Sequence, residues 1–187
     1  MTFHPLARIQ IPAPDFAEPS LYARLTQGDI RSDGAHLAPH STATFDTAFG
    51  VFSAGRWSRL TAIADLSVAM KVTGRCRIDL VAYSNGADTV VATTESGDAL
   101  VCEDIRSLGA ESFYVSVTAL DEPVVVHSGE WSTSTAPERE VHLGVAITTF
   151  NRQEYVLKTI DRLVELEQSC PVVHGHLQIQ VVDNARN

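Results

Sequence analysis

Between Leu66 and Trp131 the apolar residues recur at every second position, in short runs that are separated by turn residues. One run ends at Gly74, and a later run is followed by Ser84-Asn85-Gly86. A period of two places the apolar side chains on one face of a strand and the polar ones on the other. Short strands of this kind at about ten-residue spacing predict an antiparallel β-sandwich or barrel, with one face of each strand against a partner sheet.

The alternation also locates the individual strands. Asn85 and Gly86 both tolerate positive φ and therefore predict a tight hairpin turn, and Gly97-Asp98 predicts another. A short strand is expected around residues 6–11, and one or two weaker strands within 41–52. The main predicted strands cover residues 66–72, 77–82, 89–94, 100–105, 113–119 and 124–131.

The pattern changes after Trp131. Residues 132–140 are polar and contain Pro137, which is typical of a linker. Residues 143–147 are then continuously apolar, as in a parallel strand that is covered on both faces. The sequence predicts a β-sandwich domain over residues 1–134, a linker over 135–140, and an incomplete β-α-β unit over 141–187.

A helix is expected between the two strands of this unit. Asn151 is a candidate N-cap with Glu154 as its reciprocal partner, and Pro171 prevents the helix from continuing. The second strand, over residues 177–183, has glutamines on one face, which favours a position near the sheet edge or only partial cover. The predicted apolar stripe of the helix consists of Val156, Leu157, Ile160, Leu163 and Val164.

Composition restricts the classes of partner. The chain has 14 Lys and Arg against 23 Asp and Glu, a net charge of −9, which argues against nucleic acid or an anionic membrane surface as a partner. No apolar run approaches the roughly 20 residues of a membrane span, and residues 1–5 have no secretory pattern. Cys76, Cys102 and Cys170 have no metal or redox spacing and are interpreted as buried reduced thiols. These features predict a cytoplasmic protein.

Two motifs resemble a known family. Ile147-Thr-Thr-Phe-Asn-Arg152, followed after a helix by Val181-Val-Asp-Asn184, is similar to the start of the family 2, GT-A-fold (Rossmann-like) glycosyltransferases. Val72-Thr-Gly74, Arg77-Ile-Asp-Leu80 and Val126-His-Ser-Gly-Glu-Trp131 resemble the β-domain that precedes the catalytic domain of the bacterial polymerising galactofuranosyltransferases. Together the resemblance covers about residues 45–187.

The resemblance implies a site for a nucleotide sugar, UDP-galactofuranose. Thr149, Phe150 and Arg152 match the turn that lies against the nucleotide, with Arg152 serving the uridine or diphosphate. Asp183 and Asn184 match the strand end that hydrogen-bonds the uracil side. The implied partners are the UDP-sugar donor and a glycan acceptor of cell-wall biosynthesis, at the inner face of the membrane, with a homo-oligomer as a further possibility.

The chain also departs from the family pattern. Thr148 stands where the family usually has proline, and the 187 residues contain no Asp-x-Asp motif. We therefore expect no cofactor and no catalytic residue in this chain, and no transfer activity from it alone. The full-length parent is expected to use a divalent metal, Mn or Mg, to neutralise the leaving diphosphate.

Other residues have competing interpretations. Trp57, Trp131, Tyr83 and Tyr114 could stack against sugar rings, but core or domain contacts are the commoner use of such aromatics. His174 and His176 could bind a metal, but no third ligand is placed nearby. His127 is interpreted as a hydrogen-bonding residue rather than as a base.

Two functions from different classes remain open. The chain is either the N-terminal part of a galactofuranosyltransferase-like enzyme, or a non-catalytic β-sandwich module that binds carbohydrate or holds subunits together. An Asp-x-Asp sequence beyond Asn187 would favour the enzyme.

Overall fold

The computed structural model describes residues 2–11, 18–95, 99–138, 142–169 and 175–184. The predictions for Gly97-Asp98, Val141, Cys170, Pro171 and His174 lie outside these residues. The chain divides into two compact units, Met1–Ala136 (the sandwich unit) and Pro137–Asn187 (the tail unit), and the division falls within segment 135–140. No helix among the described residues is long and apolar enough to cross a membrane.

The described part of the sandwich unit is built almost entirely from strands. A single 3₁₀ turn covers Pro19–Leu21, and a short α-helix follows the fifth strand. The elements are β1 (His4–Ile9), β2 (Arg24–Leu25), β3 (Gly28–Arg31), β4 (Gly34–Leu37), β5 (Thr42–Thr44), α1 (Ala54–Leu60), β6 (Leu66–Thr73), β7 (Cys76–Ser84), β8 (Ala87–Thr94), β9 (Leu100–Cys102), β10 (Ser112–Ala119) and β11 (Val124–Thr133).

These strands form two antiparallel sheets around one core. The first sheet has the order β3-β4-β11-β6-β9, with β1 also pairing with β11, and the second has the order β2-β5-β10-β7-β8. Buried side chains from both sheets, such as Trp131 and Val68 from the first and Leu80 and Val115 from the second, belong to the same cluster. The predicted antiparallel sandwich-like arrangement is therefore confirmed.

Strands β10 and β7 show how far the alternation holds. In β10 every second residue is fully buried, as predicted. In β7, however, Asp79 is only 6% exposed and Val81 is buried as well, although both alternate along the strand with the buried Ile78 and Leu80. The Asp79 carboxylate accepts hydrogen bonds from Arg77 Nε at 3.0 Å and from Thr93 Oγ1 at 2.8 Å, which compensates its burial.

The predicted hairpin turn after β7 is present. Ser84 pairs with Ala87 across it, and Asn85 and Gly86 have φ values of 52° and 79°. Both central residues of a type I′ turn need positive φ, so the choice of Asn and Gly has a conformational cause.

Other boundaries differ from the prediction. The strand predicted over 100–105 ends at Cys102, because the Asp104 carboxylate accepts the backbone N–H groups of Arg106 and Ser107 at 3.0 Å and forms a turn. Strands β2, β3 and β4 and helix α1 were not predicted, and segment 41–52 contributes only β5 and a bridge between Phe52 and Phe113.

Cys76 and Cys102 are buried free thiols, as predicted, and burial raises the pKa of both.

The tail unit has the predicted strand–helix–strand order. It comprises β12 (Leu143–Thr149), α2 (Gln153–Ser169) and β13 (Leu177–Asp183), and the two strands are parallel with Leu143 opposite Leu177. No residue in its described part is fully buried. The continuously apolar β12 is thus not covered on both faces as predicted, because Gly144, Ala146 and Thr148 are exposed while alternate residues are half-buried.

Two details of α2 correct the prediction. Its half-buried residues are Val156, Ile160, Leu163 and Glu167, whereas Leu157 is 60% exposed and Val164 is also exposed. Asn151 is not the N-cap, since α2 begins at Gln153 and the Arg152 carbonyl accepts the N–H groups of Tyr155 and Val156. Asn151 instead has φ of 51°, a left-handed conformation that asparagine tolerates well.

Trp131 is the largest fully buried side chain of the core, and its replacement should be costly. It is 1% exposed, packs against Phe52 at 5.7 Å between ring centroids, and donates from Nε1 to the Gly50 carbonyl at 3.1 Å. We expect Trp131→Ala to lower the free energy of unfolding by about 3–5 kcal/mol. Trp131→Phe should cost about 1–3 kcal/mol, because it mainly leaves the Gly50 carbonyl unpaired. Urea denaturation followed by circular dichroism measures both, and equal losses for the two variants would contradict this role.

Asp65 fixes the end of β11. Its carboxylate accepts Thr133 Oγ1 and the Ser134 N–H, each at 2.8 Å. Burial opposes ionisation of this carboxyl, but the hydrogen bonds from Ser134 and Thr133 outweigh it and lower the pKa of Asp65. A carboxyl with a lowered folded-state pKa stabilises the fold above its unfolded-state pKa, and this contribution is lost as pH falls through the folded-state value.

Asp65→Asn should therefore destabilise the sandwich unit at neutral pH by about 1–2 kcal/mol. The difference from the unsubstituted protein should shrink as the pH falls below about 4 and the Asp65 carboxylate itself becomes protonated. Urea denaturation at several pH values measures the effect, with Asp121→Asn as a control at an exposed position. A difference that stays constant down to the lowest pH would contradict the assigned hydrogen bonds.

Candidate functional site

The carboxyl ends of β12 and β13 bring three predicted site residues together. Because the strands are parallel, both end at the same edge of the sheet, and Thr149 lies opposite Asp183. The Asn184 N–H donates to the Thr149 carbonyl at 2.9 Å and continues the pairing by one residue. Ligands of open α/β sheets bind beyond such strand ends.

Thr149 has a side chain whose hydrogen bonding is unsatisfied by the described residues. Its Oγ1 atom is buried and has no hydrogen-bond partner within the described part of the chain. A buried hydroxyl without a partner costs about 1–3 kcal/mol. A ligand that hydrogen-bonds to Thr149 would remove this cost.

The turn between β12 and α2 holds the other two predicted residues. Phe150 is 62% exposed, and Arg152 is the last residue before the helix. Residues 151–155 line a shallow cavity of about 460 Å³ at the start of α2. The first N–H groups of a helix carry partial positive charge and, together with the Arg152 guanidinium, favour an anion. The Glu154 carboxylate in the first turn of α2 opposes anion binding. We refer to Thr149, Phe150, Arg152, Asp183 and Asn184 as the strand-end site.

The described residues do not form a metal centre. No group of three or more His, Cys, Asp or Glu side chains within them is placed to hold a metal ion. His176 packs edge-on against His142 with ring centroids 4.9 Å apart, at the opposite end of the strands from the strand-end site. None of the described residues is therefore assigned to the metal that the resemblance implies.

The candidate aromatics of the sandwich unit have mainly packing roles. Trp131 is buried, and Trp57 is half-buried and stacks on Phe52 at 5.7 Å. Tyr114 is half-buried, and burial followed by the charge of Asp88 raises its pKa to about 12. Tyr83 is the most exposed of the four candidates.

A second cavity, of about 830 Å³, was not predicted from the sequence. It is lined mainly by residues 127–130 of β11, by residues 8–11 at the end of β1 and just after it, and by residues 69–71 of β6. Part of its lining, His127–Glu130, belongs to the Val126–Trp131 motif of the sequence analysis. This motif was the one sequence feature that could have pointed to the cavity. We call it the β11 cavity.

One protein-family model matches the sequence. It is described as "Galactofuranosyltransferase 2 N-terminal" and covers residues 20–134, which is more than half of the chain. All matched residues belong to the sandwich unit. No curated protein matches the sequence at a significant level.

Several solved structures show distant similarity. The xylan-binding module CBM15 is 15% identical, over 60% of this chain and 87% of its own, with a TM-score of 0.35. The family 32 CBM of C. perfringens NanJ, in complex with galactose, is 12% identical over 58% of this chain and 91% of its own, with a TM-score of 0.31. The Gap123 complex from Streptococcus agalactiae is 9% identical over 100% of this chain and 61% of its own, with a TM-score of 0.37. Similarities this weak support no inference.

Proposed function

The chain belongs to the galactofuranosyltransferase 2 N-terminal family, and from this premise we propose that it carries one side of the donor site of a glycosyltransferase. The proposed donor is UDP-galactofuranose, and the proposed product is a growing cell-surface glycan. The tail unit is proposed to be the start of a GT-A domain of family 2. The sandwich unit precedes this domain.

The observation that carries the proposal is the common end of β12 and β13. Thr149 and Asp183 lie opposite each other, and the buried Thr149 hydroxyl has no hydrogen-bond partner among the described residues. A nucleotide seated at this edge would meet a hydroxyl and a carboxylate on one side and the helix start on the other. Uracil offers both a donor and acceptors, so a mixed edge of this kind suits its recognition.

Arg152 is proposed to hold the diphosphate. Its guanidinium has no hydrogen bond or ion pair within the described residues, although its carbonyl is fixed by the first turn of α2. Arginine is the preferred residue for such planar, charged recognition. The chain's own residues thus bind and orient the nucleotide, and the transfer step is proposed to need residues outside the described set.

The alternative function is a non-catalytic β-sandwich module for carbohydrate binding or oligomerisation. It is favoured by one observation, since the family match lies wholly within the sandwich unit. The two functions differ in what the tail unit must do, and nucleotide binding by the tail unit distinguishes them.

The 187-residue chain should bind UDP weakly through the strand-end site. Arg152→Ala should weaken this binding by about tenfold or more, because it removes a charge-assisted hydrogen bond to phosphate. Arg162→Ala, on the exposed side of α2, serves as the matched control and should leave the affinity unchanged. Isothermal titration calorimetry measures both, and equal affinities for the two variants would contradict the proposal.

A further inference from the structure

Strand β11 changes its neighbour at the β11 cavity. Residues Val124–Val126 pair with β4, and Gly129–Thr133 pair with β1, so His127 and Ser128 pair with neither strand. On its other side β11 shifts register against β6 between Val126 and Ser128, which makes His127 the extra residue of a bulge. Bulges commonly redirect side chains next to functional sites.

The bulge is held in place by His127. Its Nδ1 lies 2.8 Å from the Asp33 carbonyl, and its Nε2 lies 2.9 Å from Thr73 Oγ1. Both ring nitrogens therefore have partners within the sandwich unit. His127 fixes the shape of the opening and is a positioning residue.

In the stretch from His127 to Trp131, some residues pack in the core and others line the cavity. A Cβ atom at Gly129 would meet the end of the Met70 side chain, and Trp131 fills the core. Ser128 and Glu130 are exposed and line the cavity. Within the described residues neither side chain makes a hydrogen bond or ion pair, so both are available to a ligand.

The strands on either side add further polar groups to the lining. Arg8 of β1 lies opposite Glu130, and Lys71 of β6 lies opposite Ser128. Both cations line the cavity, together with Gln10 and Tyr22. In the described part of the chain, the side chains of Arg8, Gln10 and Lys71 make no hydrogen bond or ion pair.

This set of side chains identifies the class of ligand. A simple anion could use Arg8 and Lys71 but not Glu130, and a simple cation could use Glu130 but not Arg8 or Lys71. Sugar hydroxyls both donate and accept hydrogen bonds, so a neutral polyhydroxylated ligand can use the cations, the carboxylate and the Gln10 amide together. A volume of about 830 Å³ lies within the usual range of small-molecule sites.

We propose that the β11 cavity is a binding site for a neutral oligosaccharide, in which Arg8, Lys71, Ser128 and Glu130 hydrogen-bond to sugar hydroxyls. The choice of galactofuranose as its sugar rests on the proposed function. In that setting the cavity would hold the acceptor glycan, and it would do so without nucleotide.

The test uses the ¹⁵N-labelled 187-residue chain titrated with a synthetic galactofuranose hexasaccharide and, separately, with xylohexaose. The galactofuranose oligosaccharide should shift the amide signals of residues 8–10, 69–71 and 127–130. Glu130→Gln should weaken this binding by about tenfold, since a hydrogen bond to a charged group is replaced by one to a neutral group. Glu103→Gln, at an exposed position that does not line the cavity, is the matched control and should bind as the unsubstituted chain does.

Two results would overturn the proposal: no shift of these amides with either oligosaccharide, or equal binding by the Glu130→Gln variant. Equal affinity for xylohexaose would overturn the choice of galactofuranose as the sugar. UDP added to the same sample reports on residues 149–152 and 183–184 alone. A lack of nucleotide binding can therefore be distinguished from a lack of oligosaccharide binding in the β11 cavity.

Discussion

The sandwich unit depends on β11. This ten-residue strand pairs with β1 and β4 on one side and with β6 on the other, so it joins most of the first sheet. Val124, Val126 and Trp131 from the same strand are buried in the core that both sheets share. It has two successive neighbours on one side, bulges against β6 at His127, and lines the β11 cavity from this bulge to Glu130. The core and the β11 cavity therefore share this strand.

The tail unit is organised by a different constraint, the parallel pairing of β12 with β13. Parallel pairing brings both strand ends to one edge and thereby places Thr149 beside Asp183. The unit itself is thinly covered, since α2 shields one face of the strands while Gly144, Ala146 and Thr148 on the other face are exposed. Its geometry is thus suited to holding polar groups at an edge, whereas its own packing contributes little buried surface.

The sequence was most informative where local chemistry decides the structure. The alternation of β10 and the Asn85-Gly86 turn were predictable because side-chain period and positive φ are local properties. Strands β2 to β4 were missed because they are short and β4 finds its partner, β11, much later in the chain. The adjacency of Thr149 and Asp183 was predictable because it follows from parallel pairing. The β11 cavity was not predictable, because it depends on which strands flank β11. The prediction of Asn151 as the N-cap was wrong, because asparagine also suits the left-handed turn found there.

The central claim is that the nucleotide sits at the shared end of β12 and β13. Nuclear Overhauser effects between bound UDP and the ¹⁵N-labelled chain test this claim most directly. They arise only between protons within about 5 Å of each other, which is close to the distance between side chains in contact, and therefore show which amides lie next to the uracil ring. The account predicts cross-peaks from the uracil ring to the amides of residues 150–152 and 183–184. Cross-peaks confined to the sandwich unit, with UDP shown to be bound, would contradict it.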